Sequence, residues 1–191
     1  MRKLITGMKI SVDGKIEGSE GFADWVAGWS EDYGLTPQID ACIIGGNMYP
    51  GYEMYWTAIS NEPDKPLPMT GQSPTADEVT WSRFAAKTQH YVLSSTITKV
   101  QWPNTTIIRS IDDIAKLKQQ AGKDIYLMGG ARMVASLLDA GLLDELRLLV
   151  YPLIAGPGKA LFATIAKRHN LKLVSTKPLQ DGLVSVVYRV G

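Results

Sequence analysis

Short runs of apolar residues recur along the chain at strand length, and several are rich in Val, Ile and Tyr. Such runs predict buried β-strands. We predict eight strands, at residues 4–10, 41–44, 91–93, 106–108, 125–128, 146–153, 171–174 and 184–190. Strands alternate with helical patterns in the first three quarters of the chain, whereas the last strands have little helix between them. This order predicts an α/β fold with a mainly parallel sheet and an antiparallel C-terminal part.

Three segments between these strands have the apolar spacing of amphipathic helices. One begins at Ser110, with acidic residues in its first turn, and stops near Gly122. A second begins at Thr75, where Glu78 completes the pattern of a capping box. A third follows Gly130 and carries apolar residues at helical spacing: Val134, Leu137, Leu138 and Leu142.

Composition narrows the classes of protein that fit the chain. Its 191 residues are 45% hydrophobic, and 20 Lys and Arg balance 19 Asp and Glu, which predicts one compact domain over residues 1–191. The net charge of +1 argues against nucleic-acid binding. No apolar stretch has the length of a transmembrane helix, and the N-terminus lacks signal-peptide features, so we expect a cytoplasmic protein that binds no membrane. Two His and one Cys leave no metal-ligand spacing, so no metal site is predicted.

Glycine and hydroxyl residues end three of the predicted strands. The fifth ends in Gly129 and Gly130 just before a helix, where unpaired backbone N–H groups and missing Cβ atoms let a phosphate come close. The second strand ends in the same way at Gly45 and Gly46. The third strand ends in hydroxyl residues, which are Ser94, Ser95 and Thr96. Taken alone, each ending is explained as well or better by an ordinary turn. Because parallel strands present their carboxyl ends along one edge, the three together favour a ligand site.

Five short motifs follow one another along the chain. They are Ser-Val-Asp-Gly-Lys-Ile at 11–16, Asp-Trp at 24–25, Ile-Gly-Gly-Asn-Met-Tyr at 44–49, Val-Leu-Ser-Ser-Thr at 92–96 and Tyr-Leu-Met-Gly-Gly at 126–130. In this order they resemble the dihydrofolate reductase superfamily. The later segments 142–146 and 152–162 are similar to its branch that contains the reductase (RibD C-terminal) domain of riboflavin biosynthesis. The resemblance covers nearly the whole chain.

The resemblance implies a dihydrofolate reductase-like three-layer αβα fold with a central twisted sheet, and it implies NADPH as the cofactor. Ile16 matches the position that packs near the nicotinamide, with core packing as its alternative. Gly46 and Asn47 match a phosphate-binding turn. The residues that match the strand end near the adenosine 2′-phosphate are Ser94, Ser95 and Thr96. The residues that match the pyrophosphate-binding turn are Gly129, Gly130, Ala131, Arg132 and Met133.

Asn47 departs from the pattern of the resemblance, because many members have Arg there. The change removes a positive charge from the turn and leaves open the preference for NADPH over NADH. Lys99 and Arg109 are candidates to replace that charge, although a surface location is the more ordinary interpretation of both.

The substrate side is marked by acidic and aromatic residues. Trp25, Trp29 and Asp32 have the spacing of one helical face, and two indoles beside a carboxylate could hold a flat heterocycle. By resemblance to folate reductases, one carboxylate supports proton delivery, with Asp32 as the first candidate and Asp24 as the second. Tyr49 is a candidate wall of the pocket. The alternative is that these aromatic residues are core or dimer-interface residues and that the acids are solvated.

The resemblance therefore predicts an NADPH-dependent reductase of a pterin- or pyrimidine-like heterocycle. A riboflavin-pathway type of reduction is favoured over true dihydrofolate reduction, because the Gly-x-Gly-Lys-x-Leu-Phe motif at 156–162 points to that branch. The alternative, motivated by Asn47, is a nucleotide-binding protein that kept the fold without catalysis. Either protein is expected to form a homodimer, an expectation that comes from the resemblance alone.

Overall fold

The computed structural model describes residues 1–26, 33–67 and 71–191. Its strands are β1 (Leu4–Ser11), β2 (Lys15–Gly18), β3 (Ile39–Gly45), β4 (Gln89–Leu93), β5 (Thr105–Ile108), β6 (Asp124–Met128), β7 (Glu145–Tyr151), β8 (Gly158–Ala160), β9 (Leu171–Pro178) and β10 (Val184–Val190). Its α-helices are α1 (Tyr49–Asn61), α2 (Ala76–Ala85), α3 (Ile111–Gln119) and α4 (Ala131–Asp139), and a 3₁₀ turn spans Gln180–Gly182. No helix in these ranges is long and apolar enough to cross a membrane.

Eight strands form one sheet in the order β5-β4-β3-β6-β1-β7-β10-β9. Every pair from β5 to β7 is parallel, whereas β10 is antiparallel to both β7 and β9. The predicted mainly parallel sheet with an antiparallel C-terminal part is confirmed. The physical reason is connectivity, since α1 to α4 provide the crossovers that parallel neighbours need, while β9 and β10 are joined by a tight turn.

Helices cover both faces of the sheet and give it two hydrophobic cores. Alternate residues of β3 point to opposite faces, so Ile43 joins one core and Ile44 the other. The first core packs the sheet against α3 and α4, and the second packs it against α1 and α2. Because both faces are covered, these strands have continuous apolar runs rather than alternating ones.

Local signals set the helix boundaries. At α2, the Thr75 hydroxyl accepts the Glu78 N–H at 3.2 Å and the Glu78 carboxylate accepts the Thr75 N–H at 2.8 Å, which is the predicted capping box. Helix α4 ends at Asp139, earlier than the apolar spacing to Leu142 indicates. Gly141 has φ +68°, and the Leu142 N–H turns back to the Leu137 carbonyl at 2.9 Å. This is a Schellman-type stop, which glycine favours.

Strands β2 and β8 form a separate antiparallel ribbon that the apolar pattern did not predict. The ribbon depends on Gly158, whose φ is +152°. A Cβ at this position would lie 2.2 Å from the Glu17 carbonyl oxygen, so only glycine permits this close approach. The Gly-Pro-Gly segment at 156–158 is therefore more than a turn, because it lets β8 pair with β2.

Candidate active site

A cavity of about 660 Å³ lies at the carboxyl ends of β3 and β4 and at the N-terminus of α4. Nine of the residues predicted to bind the cofactor line it: Gly46, Asn47, Ser94, Ser95, Thr96, Gly130, Ala131, Arg132 and Met133. They come together because β4, β3 and β6 are adjacent parallel strands, so that Gly45 pairs with Leu93 and Ile44 with Met128. The expected convergence of the strand ends is present in the fold.

The turns after β3 and β4 touch each other at Gly46. The Gly46 N–H donates to the Leu93 carbonyl at 2.9 Å. A Cβ on Gly46 would lie 2.6 Å from the Cβ and Oγ of Ser94, which is too close for any side chain. Glycine is therefore required here so that the two strand ends can approach and form one wall of the cavity.

Helix α4 presents an open N-terminus to the cavity. Gly130 is its N-cap residue, in an extended conformation (φ −70°), and the first turn contains no acidic residue. Helices α2 and α3 differ, because both have acidic residues in their first turns. The first N–H groups of a helix have no partner within it, so the start of α4 is a positive, donor-rich surface suited to an anion.

Gly129 has a different role from Gly130. It is buried and does not line the cavity. A Cβ on Gly129 would lie 2.9 Å from Met133 Sδ, so the missing side chain makes room for Met133 beneath the turn. A Cβ on Gly130 would meet no atom within 4 Å, so that position is open toward the cavity.

The three hydroxyl residues at the end of β4 are not equivalent. Ser94 Oγ accepts the N–H groups of Thr96 at 3.2 Å and Ile97 at 3.0 Å, so it closes the turn. Ser95 and Thr96 are exposed on the cavity wall. Their hydroxyls are the ones available to a phosphate oxygen.

The charged residues that line this cavity are all basic. They are Arg109, Arg132 and Lys159, and no acidic residue lies among the described residues of the lining. Arg109 Nη1 donates to the Ser94 carbonyl at 2.6 Å, which fixes the guanidinium beside the hydroxyl turn. Lys159 Nζ lies 3.3 Å from the Glu17 carboxylate at the far edge. The cavity thus combines cations with backbone donors, as a site for a phosphorylated cofactor needs.

A second cavity of about 380 Å³ contains part of the predicted substrate site. Asp24 and Trp25 line it. The remaining lining residues are Gly18, Ser19, Glu20, Phe22, Leu153 and Ala155. Trp29 and Asp32, which were also predicted to contact substrate, lie outside the described residues. Ile16 lies on β2 and packs against the first core, and it is not among the residues that line either cavity.

Tyr49 lies in the second core and lines neither cavity. Only 2% of the residue is exposed, and its hydroxyl donates to the Glu53 carboxylate. Burial and this hydrogen bond raise the pKa of Tyr49 to about 12. The prediction of Tyr49 as a substrate-pocket wall is therefore corrected to its alternative, core packing. The reason is that Tyr49 opens α1 on the side that faces the sheet.

Comparison with known proteins identifies the family. A sequence model described as the RibD C-terminal domain matches residues 2–185. The chain belongs to the RibD C-terminal domain family. It is 32% identical over 191 residues to the uncharacterized protein YyaP of Bacillus subtilis (strain 168), an alignment that covers 98% of this chain and 94% of YyaP.

Two solved structures show the fold shared by this RibD C-terminal domain. One structure, from Shewanella sp. PV-4, carries the provisional name of a riboflavin biosynthesis protein. Its TM-score to this chain is 0.68 at 21% sequence identity, and the alignment covers 99% of each chain. The other is dihydrofolate reductase from Enterococcus faecalis complexed with NADP(H) and RAB-propyl. Its TM-score is 0.64 at 16% identity, covering 99% of this chain and 96% of that chain. These likenesses confirm the predicted dihydrofolate reductase-like architecture.

Sequence reasoning missed one basic residue of the cavity in this RibD C-terminal domain, Lys159, and left two interpretations open for another, Arg109. Arg109 was a candidate to replace the charge missing at Asn47, with a surface location as the more ordinary interpretation; it directly follows a predicted strand and so lies at the same sheet edge. Lys159 stands in the Gly-Pro-Gly-Lys segment, where the ribbon with β2 brings it to the cavity. Lys99 does not line the cavity. Of the two candidates to replace the charge missing at Asn47, only Arg109 is in position.

Proposed function

We propose that this RibD C-terminal domain is an NADPH-dependent reductase of a small pterin- or pyrimidine-like heterocycle, of the riboflavin-pathway type. The observation that carries the proposal is the larger cavity, whose charged lining is entirely basic and which includes an open helix N-terminus. A dinucleotide with three phosphates is the anion that such a lining suits. The structural likeness to a dihydrofolate reductase that holds NADP(H) supports the same cofactor.

Different walls of the larger cavity would hold different parts of the cofactor. The start of α4 would hold the pyrophosphate through the backbone N–H groups after Gly130, and Arg132 would add a positive charge. Arg109, together with the Ser95 and Thr96 hydroxyls, would hold the adenosine 2′-phosphate. When bound, the cofactor supplies a hydride for reduction of a C=N bond.

The chain itself must orient the substrate and deliver a proton to its nitrogen. Asp24, which belongs to the described residues, is a candidate for delivering this proton, because it is exposed and lines the second cavity. Asp32 remains the other candidate from the sequence. A carboxyl group within hydrogen-bond reach of the substrate nitrogen can donate a proton and then be protonated again from water.

A titration of NADPH against NADH tests the cofactor assignment. We expect saturable NADPH binding that is tighter than NADH binding, followed by nicotinamide fluorescence. Arg109→Gln should weaken NADPH binding about 10- to 160-fold and leave NADH binding nearly unchanged, since one charged hydrogen bond contributes about 1.5–3 kcal/mol. Lys99→Gln removes an exposed cation outside the cavity and should change neither affinity. Equal effects of the two variants would refute the role of Arg109.

A substrate screen separates the reductase from its alternative. Loss of reduced-cofactor absorbance with pterins or pyrimidines would support catalysis. Tight NADPH binding without oxidation by any heterocycle of these classes would instead favour a nucleotide-binding protein that kept the fold.

The proposal also includes a homodimer formed through the C-terminal strands. Strand β9 is at the edge of the sheet, and Leu171 and Leu173 are 40% and 53% exposed on it. An edge strand that exposes two leucines suits a second copy of the chain. Light scattering should give twice the chain mass of 20.9 kDa, and Leu173→Lys should shift it toward the monomer. Lys172→Glu changes the neighbouring residue as a control, and a monomeric wild type would refute the dimer.

A further inference from the structure

The loop between β7 and β8 runs from the second cavity to the larger one. Leu153 and Ala155, in its first half, line the second cavity. Lys159 follows the loop on β8 and lines the larger cavity. The place of this cation therefore depends on how the loop, residues 152–157, is held.

Apolar packing fixes the chain that follows β8 but little of the 152–157 loop. Leu161, just after β8, is completely buried in the first core. Within the loop, Ile154 is 78% exposed and Pro157 is exposed too. Gly156 has φ +70°, and glycine is the residue with the greatest conformational freedom. The loop therefore needs polar contacts to stay in one conformation.

The carboxylate of Asp13 supplies polar contacts at the middle of the loop. Asp13 lies in the turn between β1 and β2. One of its oxygens accepts the Ala155 N–H at 2.9 Å, and the other accepts the Gly156 N–H at 3.0 Å. Ser11 Oγ, on a residue buried at the end of β1, donates to the same carboxylate at 2.6 Å. Three hydrogen bonds to one ionised group thus tie the loop to the end of β1.

These contacts need a carboxylate rather than an amide. The Ser11 hydroxyl and the backbone N–H groups of the loop lower the pKa of Asp13 to about 2, so the group is ionised at neutral pH. Both oxygens then act as acceptors, one for each N–H group of the loop. Asparagine has nearly the same shape but one acceptor oxygen, and its NH₂ group would face an N–H donor. An Asp-to-Asn change here therefore removes part of the contact with little change in shape.

Lys159 can bind a phosphate although it already has a partner. Its Nζ lies 3.3 Å from the carboxylate of Glu17, its neighbour across the ribbon. The two side chains are 51% and 28% exposed, so water weakens this ion pair. Lys15 Nζ donates to the Gly158 carbonyl at 3.3 Å, which is a second exposed contact across the ribbon. A phosphate in the larger cavity offers Lys159 another anion, and its reach toward that anion depends on where the loop leaves β8.

We propose that Asp13 is a positioning residue, which holds the 152–157 loop so that Lys159 reaches a phosphate of the cofactor. This inference rests on the proposed function, because NADPH is the ligand that Lys159 would meet in the larger cavity. Asp13 lines neither cavity, so its effect on a ligand must pass through the loop. The proposal therefore predicts that the effects of Asp13 and Lys159 on cofactor binding depend on each other.

Hydrogen exchange of the full chain, followed by NMR, tests the contact between Asp13 and the loop without any ligand. Asp13→Asn should speed exchange of the Ala155 and Gly156 amides about 3- to 10-fold, because each amide loses a charged acceptor. Amides of the main sheet should exchange at the rate of the wild type. Asp64→Asn removes an exposed carboxylate between α1 and α2, outside both cavities, and should change neither loop amide. Unchanged exchange of both loop amides in Asp13→Asn would overturn the proposal.

NADPH titration of two single variants and their double variant tests the consequence for the cofactor. Lys159→Gln should weaken NADPH binding about 3- to 10-fold, as expected for one partly exposed cation. Asp13→Asn should weaken it about 2- to 10-fold, and no more than Lys159→Gln does. In the Lys159→Gln background, Asp13→Asn should have no further effect. A residue that only stabilised the fold would weaken binding equally in both backgrounds, and that result would overturn the proposal.

The wild-type titration separates failure of this inference from failure of the proposed function. If the wild type binds NADPH and either single variant binds it equally well, the positioning role of Asp13 is overturned and the proposed function stands. If the wild type binds no NADPH, the proposed function is overturned, and the role of Asp13 toward the cofactor with it.

Discussion

Replacement of Gly130 by Asp tests the anion site at the start of α4 with little risk to the fold. Gly130 has an ordinary φ of −70°, and a Cβ there would meet no atom within 4 Å. It is the N-cap residue of the helix, a position that Asp occupies at least as well as glycine. The thermal midpoint of Gly130→Asp should therefore equal or exceed that of the wild type.

The expected loss of cofactor affinity follows from Coulomb's law. A carboxylate about 5 Å from a phosphate charge, at an effective dielectric constant of about 20–40, costs about 2–3 kcal/mol. This corresponds to NADPH binding that is about 30- to 160-fold weaker. The Asp side chain also accepts helix N–H groups that would otherwise be available to the phosphate.

Gly130→Asn is the matched control, because Asn has nearly the same shape and caps a helix equally well without the charge. Both variants are titrated with NADPH by nicotinamide fluorescence at low and at high salt. The difference between them should shrink as salt screens the repulsion. Equal NADPH affinities for the Asp and Asn variants at low salt would show that no phosphate binds at this helix terminus.

Two further predictions concern stability. Gly46→Ala should lower the free energy of unfolding by about 1–3 kcal/mol, because its Cβ would lie 2.6 Å from Ser94 and this is the usual cost of overpacking. Urea unfolding checks this, and an unchanged unfolding midpoint would contradict it. Burial lowers the pKa of His90 from 6.5 to about 4, so the unfolded chain binds the proton first and stability falls as pH drops from 6.5 to 4. Between pH 7 and pH 4.5, the free energy of unfolding should fall by about 2 kcal/mol less in His90→Gln than in the wild type, as measured by urea unfolding at the two pH values. Equal falls in the two proteins would refute the role of His90.

The sequence alone determined the eight strands of the main sheet, helices α2, α3 and α4, and the edge at which the site forms, but not the β2–β8 ribbon. Apolar runs, the Thr75 capping box and the glycines after β3 and β6 are local signals, and each acts through backbone geometry within a few residues. Because parallel strands share one carboxyl edge, these local signals predicted that the strand endings at Gly46, Ser94 and Gly130 converge. The other predicted residues of the larger cavity came from the resemblance to the dihydrofolate reductase superfamily.

Only the tertiary structure decided which distant side chains join that edge. Arg109 reaches Ser94 because β5 pairs with β4 in the register that sets Ile108 beside Leu93. Lys159 reaches the cavity through the β2–β8 ribbon, and Tyr49 is turned into the core. These placements depend on strand register and on which helix face meets the sheet. Both are set by packing between segments far apart in the chain, which local patterns do not specify.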